Sequence, residues 1–158
     1  MSNSLAIYFA TMTGNAESLA QRAHERAVNE GLDARVLKLS HVKPADLANE
    51  TLALFIVSTW GDGEPPADAC DFHYGLEKDS APAVPGLRFA ILGLGDKDYP
   101  DFNAFARKLD ERLTALGGQR LQERAEADLD FEDTYADWEN RVFPAVVAAL
   151  RGAAVSPA

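Results

Sequence analysis

The chain has 158 residues, 47% of them apolar and 25% charged, and 15 Lys and Arg against 25 Asp and Glu give a formal net charge of −10. That length suits one well-buried domain and is short for two, while the acidic balance argues against nucleic acid and anionic membrane surfaces as partners. No apolar run approaches the roughly 20 residues that span a bilayer, no basic leader precedes a signal-length apolar stretch, and the lone Cys70 has no disulfide partner within the chain, so a cytoplasmic protein is expected.

Residues 5–10 (LAIYFA) read as a buried strand that runs into the polar stretch Thr11, Met12, Thr13, Gly14 and Asn15. Ala16, Leu19, Ala20, Ala23 and Ala27 then recur at helical spacing as far as Gly31. Residues 34–39 form a second strand of alternating character, and residues 51–58 a third with an unbroken apolar centre. A turn-rich stretch, 59–66, precedes a helix over about 68–77. Residues 88–93 are a fourth strand; the loop 94–100 leads to a helix with Phe102, Phe105, Leu109, Leu113 and Leu116 on one face, ended by Gly117 and Gly118. A weak fifth strand lies within 119–125. Trp138, Val142, Val146 and Leu150 mark the last helix, kinked or restarted at Pro144. Residues 1–150 are then one domain and 151–158 a flexible tail.

Continuous apolar strands alternating with helices predict a parallel sheet covered on both faces, a three-layer doubly wound α/β fold. In such sheets a ligand sits beyond the carboxyl ends of the strands. Three loops there carry chemistry. Thr11 to Ala16 offers two hydroxyls, a glycine, an Asn side chain and the N–H groups of a helix N-terminus, which together favour a phosphate. It lacks the lysine of a nucleoside-triphosphate loop; an ordinary strand-to-helix turn is the plain alternative. Ser58, Thr59, Trp60, Gly61, Asp62 and Gly63 place an indole in a polar loop, where it can cover a flat ring or cap the sheet edge. Gly61 can adopt φ of either sign, so its peptide is free to reorient when a ligand atom changes from acceptor to donor. Gly93, Leu94, Gly95 and Asp96 begin like a dinucleotide fingerprint, but Asp98 stands where the third glycine belongs. Instead this loop adds Tyr99, Phe102 and Asn103. Two aromatics and one phosphate cradle describe a sandwich for a mononucleotide with an extended planar ring.

These three motifs, in this order and spacing, resemble the flavodoxin-like FMN domains: bacterial flavodoxins, the short MioC-type flavodoxins, and the FMN modules of diflavin reductases such as cytochrome P450 reductase and sulfite reductase. The resemblance spans roughly residues 4–150 and includes Trp138 and the Phe143, Pro144, Ala145 segment. It implies a five-stranded parallel sheet in the order 2-1-3-4-5, which brings the three loops to one edge. It implies FMN as cofactor, with Thr11, Met12, Thr13, Gly14, Asn15 and Ala16 on the phosphate. Ser58, Thr59, Trp60, Gly61, Asp62 and Gly63 would lie along the inner side of the ring, Gly61 as the reorienting peptide. Tyr99 would stack on the outer face, with Leu94, Gly95, Asp96, Phe102 and Asn103 around the ring edge and ribityl chain and Asp128 near the flavin. No metal is implied.

The resemblance implies an electron carrier with no substrate pocket of its own, a monomer passing electrons singly between protein partners. An NAD(P)H-dependent flavin reductase is the expected donor and a haem or iron–sulfur protein a possible acceptor. The acidic shell of Asp62, Glu64, Asp96 and Asp98 would disfavour an anionic reduced ring. Three rivals differ in a feature of the chain. An FMN-dependent NAD(P)H:quinone reductase needs a substrate pocket, for which no insertion is evident. A receiver-type signalling domain needs paired carboxylates at the end of the first strand, and residues 5–10 have none. For an excised diflavin module, residues 151–158 would be the start of a linker; a genuine terminus is the other reading of the same tail. His24, His41 and His73 pair with no nucleophile and read as ordinary helix or surface histidines. Cys70 reads as helix packing. Residues 128–133 resemble a calcium loop but have Asp133 where such a loop needs glycine, so they read as a solvated acidic loop.

Overall fold

The computed structural model describes residues 5–10, 14–59, 69–78, 81, 83–95, 103–128 and 130–155, without the side chains of residues 49 and 150–155. Strand β1 (Leu5–Ala10) is followed by helix α1 (Asn15–Asn29), β2 (Ala34–Lys38), two 3-10 turns (Leu39–His41 and Pro44–Asn49), β3 (Leu52–Ser58) and α2 (Cys70–Glu77). Then come β4 (Arg88–Leu94), α3 (Ala104–Ala115), β5 (Gln119–Arg120), β6 (Ala125–Ala127) and α4 (Glu132–Val155). All strand pairs are parallel and the order is β2-β1-β3-β4-β5, with β6 also on β4.

The two-residue period of a strand sorts its side chains between two cores. Leu5, Ile7 and Phe9 of β1, Leu52, Leu54 and Ile56 of β3, and Ala90 and Leu92 of β4 face α1 and α4. Their neighbours Ala6 and Tyr8, Ala53, Phe55 and Val57, and Phe89 and Ile91 face α2, α3 and the 3-10 turns. Both sets are buried, which is why the strands read as unbroken apolar runs. The alanine stripe of α1 (Ala16, Ala20, Ala23, Ala27) lets that helix sit close on the sheet.

The sequence-based elements hold, with three differences. The fifth strand is not one segment within 119–125 but two, β5 and β6, both on β4, and the second reaches Ala127. Between the paired positions Phe89/Arg120 and Leu92/Ala125, β4 advances three residues (92 − 89) and the edge strand five (125 − 120). Two extra residues therefore leave the ladder, as in a bulge. Polar Gln122, Glu123 and Arg124 in that stretch hide the strand period. Helix α4 passes through Pro144 without a break; the proline is exposed, and on the solvent side its missing N–H leaves a carbonyl that water can satisfy. The same helix continues to Val155, through residues whose small side chains read as tail. The 3-10 turns have too few residues to show a period.

His73 lies in α2 at 6% exposure, edge-on to Phe105 of α3 and 3.3 Å from Glu77 Oε1. Burial holds its imidazole below the ordinary 6.5, more strongly than Glu77 lifts it, and Lys108 adds to the lowering. The unfolded chain therefore binds this proton first as pH falls, and the folded state loses stability below about pH 6.5. Between about pH 7.5 and about pH 5.5 the melting temperature of the wild type should fall further than that of His73→Gln, which cannot titrate. Equal losses in the two proteins would contradict this placement.

Candidate cofactor site

Four strands end almost level. Ala10, the last residue of β1, pairs with Val57, and Leu94, the last residue of β4, pairs with Ser58 at the end of β3 on one side and with Ala127 at the end of β6 on the other. The loops after residues 10, 58, 94 and 127 therefore leave from one edge, the carboxyl edge, where open parallel sheets take their ligands.

The first loop closes at Gly14, which has φ 92° and caps α1 without a side-chain bond. A left-handed φ is natural only for glycine. Ser18 N–H makes the first helical bond, to Gly14 O at 3.0 Å. The N–H groups of Asn15, Ala16 and Glu17 precede that bond, so helix geometry directs them out of the N-terminus, where the dipole favours an anion. Ala16 contributes only its backbone here, because its side chain is fully buried against the sheet. Asn15 and Glu17 are exposed, and the Glu17 carboxylate opposes an anion at this end.

The second and third loops are tied together at their roots. Thr59 N–H donates to Leu94 O at 2.9 Å and Gly95 N–H to Ala127 O at 2.9 Å, carrying the ladder one step beyond the strands. The Thr59 hydroxyl accepts the N–H of Phe105 at 3.1 Å, satisfying one of the donors at the start of α3. Asn103 caps α3 with φ 56° and is fully buried; its Nδ2 donates to the same Ala127 carbonyl at 3.1 Å. Its Oδ1 is also buried and has no hydrogen-bond partner among the described residues. The space beside it is full. A Cβ at Gly93 would meet Asn103 Oδ1 at 2.5 Å and Ala106 Cβ at 2.6 Å, and one at Gly95 would lie 3.2 Å from Asn103 N.

Of the sequence-based site residues, Gly14, Asn15, Ala16, Ser58, Thr59, Leu94, Gly95, Asn103 and Asp128 are brought to this edge. Thr11, Met12, Thr13, Trp60, Gly61, Asp62, Gly63, Asp96, Tyr99 and Phe102 lie outside the described residues. Leu94 packs into the core on the α1 and α4 side, so only its backbone serves the site. Thr59 and Asn103 do work that residue type alone does not show: they fasten α3 to β3 and β6. Asp128 is half-buried and directly follows β6. Ala127, which takes two donors on one carbonyl, has no side-chain signal by which a sequence reading could find it.

A family model described as Flavodoxin matches residues 7–138. The chain belongs to the flavodoxin family. Among curated proteins, the sulfite reductase [NADPH] flavoprotein alpha-component of Vibrio cholerae is 39% identical over 97% of this chain and 25% of its own length. That of Bacillus subtilis is 37% identical over 98% of this chain and 26% of its own. The chain thus spans about a quarter of the length of these curated relatives. Among solved structures, the Streptococcus pneumonia TIGR4 flavodoxin superposes with a TM-score of 0.80 at 27% identity, covering 92% of this chain and 98% of its own. Oxidised Flavodoxin 2 from Bacillus cereus gives 0.79 at 26%, covering 92% and 99%.

Membership in the flavodoxin family makes FMN the cofactor and electron transfer the function. The residues present fit that group. A helix N-terminus capped by Gly14 without a side-chain bond suits a phosphate, and glycine at 93 and 95 lets the root of the third loop pack closely against Asn103. Gly93→Ala should force the start of α3 away from β4, costing about 1–3 kcal/mol in urea unfolding, with weaker FMN uptake. Wild-type stability in this variant would show that the root is not tightly packed.

Proposed function

We propose that this flavodoxin-family chain carries electrons one at a time between a reducing flavoprotein and an acceptor protein. The contacts assigned to each loop belong to the same proposal. Thr11, Met12, Thr13, Gly14, Asn15 and Ala16 would hold the FMN phosphate; Ser58, Thr59, Trp60, Gly61, Asp62 and Gly63 would line the inner side of the ring. Leu94, Gly95, Asp96, Tyr99, Phe102 and Asn103 would line the outer side, with Asp128 beside it. The observation that supports the proposal is the level carboxyl edge, where the strands end at Ala10, Ser58, Leu94 and Ala127.

FMN supplies the electron-accepting ring when bound, and the protein sets what that ring meets. Backbone N–H groups at the start of α1 would bind the dianionic phosphate through dipoles rather than side-chain cations. Thr59 and Asn103 would orient the two ring loops through α3. The Gly61 peptide would present either its carbonyl or its N–H to the ring edge as the proton inventory there changes. The carboxylates of the ring loops in the sequence, Asp62, Glu64, Asp96 and Asp98, would raise the cost of added negative charge. They would also draw a basic surface on the partner.

An NAD(P)H-dependent flavin reductase is the donor that this reading calls for, and a haem or iron–sulfur protein the acceptor. A cytoplasmic location accords with the lone Cys70. A second reading has a specific observation behind it. Identity to the sulfite reductase flavoprotein components reaches 39%, above the 27% shared with the pneumococcal flavodoxin. The chain would then work as the FMN module of a diflavin system, its donor an FAD-bearing reductase domain.

Titration of the FMN-free protein should show one FMN per chain, with quenching of flavin fluorescence and a structured visible band. Gly14→Val, with a branched side chain at φ 92°, should weaken binding, because a strained loop costs about 1–3 kcal/mol. A folded protein that takes up no FMN would refute the reading. Sustained NAD(P)H oxidation with a quinone by the holoprotein alone would favour an enzyme instead.

A further inference from the structure

A charge cluster built around one buried carboxylate lies at the broken edge strand, its arginines reaching toward solvent. Asp110, in the second turn of α3, is 2% exposed, yet two guanidinium groups meet its carboxylate. Arg120 Nε donates to Oδ1 at 2.6 Å and Arg124 Nη1 to Oδ2 at 2.5 Å. Arg120 ends β5, and Arg124 is the last residue of the stretch between β5 and β6. Arg124 Nε also donates to Glu126 Oε2 at 2.9 Å, and Arg107 Nε to the same oxygen at 3.2 Å. Helix α3 is thereby joined to β6 through Arg107–Glu126 and to Arg124, the residue just before that strand, through Asp110.

This joint bears on the cofactor edge because Ala127, the neighbour of Glu126, holds Gly95 N–H and Asn103 Nδ2 on its carbonyl. Strand β6 has three residues, too few to fix its own position by ladder bonds alone, and the excess before it removes the register that β5 would impose. The Asp110 carboxylate accepts from Arg120 before the break and from Arg124 at its end, and so ties its two ends together. Charge-assisted bonds to a planar guanidinium are directional as well as strong, so they set a position and not merely a distance.

We propose that Asp110 is a positioning residue for the cofactor. By bridging Arg120 and Arg124 it fixes where β6 ends, and through the Ala127 carbonyl it places Gly95 and Asn103 on the ring side of the site. Asp110 itself is seven residues along α3 from Asn103, about 10 Å by helical rise, so it acts through β6 and not by contact. This role rests on FMN being the group bound at the carboxyl edge.

The test compares wild type, Asp110→Asn, Arg124→Lys and Arg26→Gln. The Asn variant keeps the shape but turns one acceptor into a donor against a guanidinium. The Lys variant keeps the charge but loses the fork that reaches Asp110 and Glu126 together. Arg26→Gln removes an α1–α4 ion pair, to Glu139 at 3.1 Å, as a control for lost stability. Three quantities are measured: the FMN Kd by fluorescence quenching, the visible circular dichroism of bound flavin, and the melting temperature of the FMN-free protein. Asp110→Asn should raise the Kd about tenfold, equivalent to about 1.4 kcal/mol, and alter the flavin dichroism. Arg124→Lys should move both in the same direction by a smaller factor. Arg26→Gln should lower the melting temperature and leave both unchanged. Wild-type Kd and dichroism in the two cluster variants would overturn the proposal, as would an equal Kd rise in Arg26→Gln. If Asp110→Asn does not fold, Arg124→Lys decides alone. Failure of the wild type to take up FMN would refute the function itself, whereas uptake with unaffected variants would refute only the positioning role.

Discussion

One carbonyl oxygen organises the cofactor edge of this protein. Ala127 O, at the end of a three-residue strand, takes the N–H of Gly95 and the side-chain amide of Asn103. The first bond continues the sheet into a loop root; the second anchors the start of a helix to it. Across the sheet the Thr59 hydroxyl performs the complementary task by accepting the Phe105 N–H from the same helix. Buried amides and carbonyls must find partners, and here each partner belongs to a different loop. Satisfying them forces the three roots together.

The rest of the fold supplies a rigid base for that arrangement. The strands are buried on both faces, so no residue of β1, β3 or β4 can shift by one without exchanging its two cores. Glycine at positions 93 and 95 lets α3 approach the sheet to the point where even a methyl group would collide.

The chain order of the elements was legible in the sequence. Apolar runs such as 5–10 and 51–58 are long enough to show burial on both faces, and the alanine stripe of α1 shows a helical period. The resemblance of three ordered motifs gave the sheet order, which spacing alone does not contain. The split edge strand was not legible, because Gln122, Glu123 and Arg124 carry no strand period and the excess depends on pairing with β4. The task of Thr59 was hidden for a different reason. A hydroxyl in a ligand loop looks like a ligand contact, and only the fold reveals a helix N–H 3.1 Å away. Ala127 acts by its backbone, which every residue possesses. Such roles lie in topology and not in residue type.

The most direct test is an amide NMR comparison of the FMN-free and FMN-loaded protein, with assigned backbone resonances. Large shift changes should gather at Gly14, Asn15, Thr59, Gly95, Asn103 and Asp128, at one edge of the sheet, with the amides of β2 and the 3-10 turns almost still. Changes centred instead on the opposite edge, or spread evenly over the sheet, would contradict a cofactor seated where these four strands end.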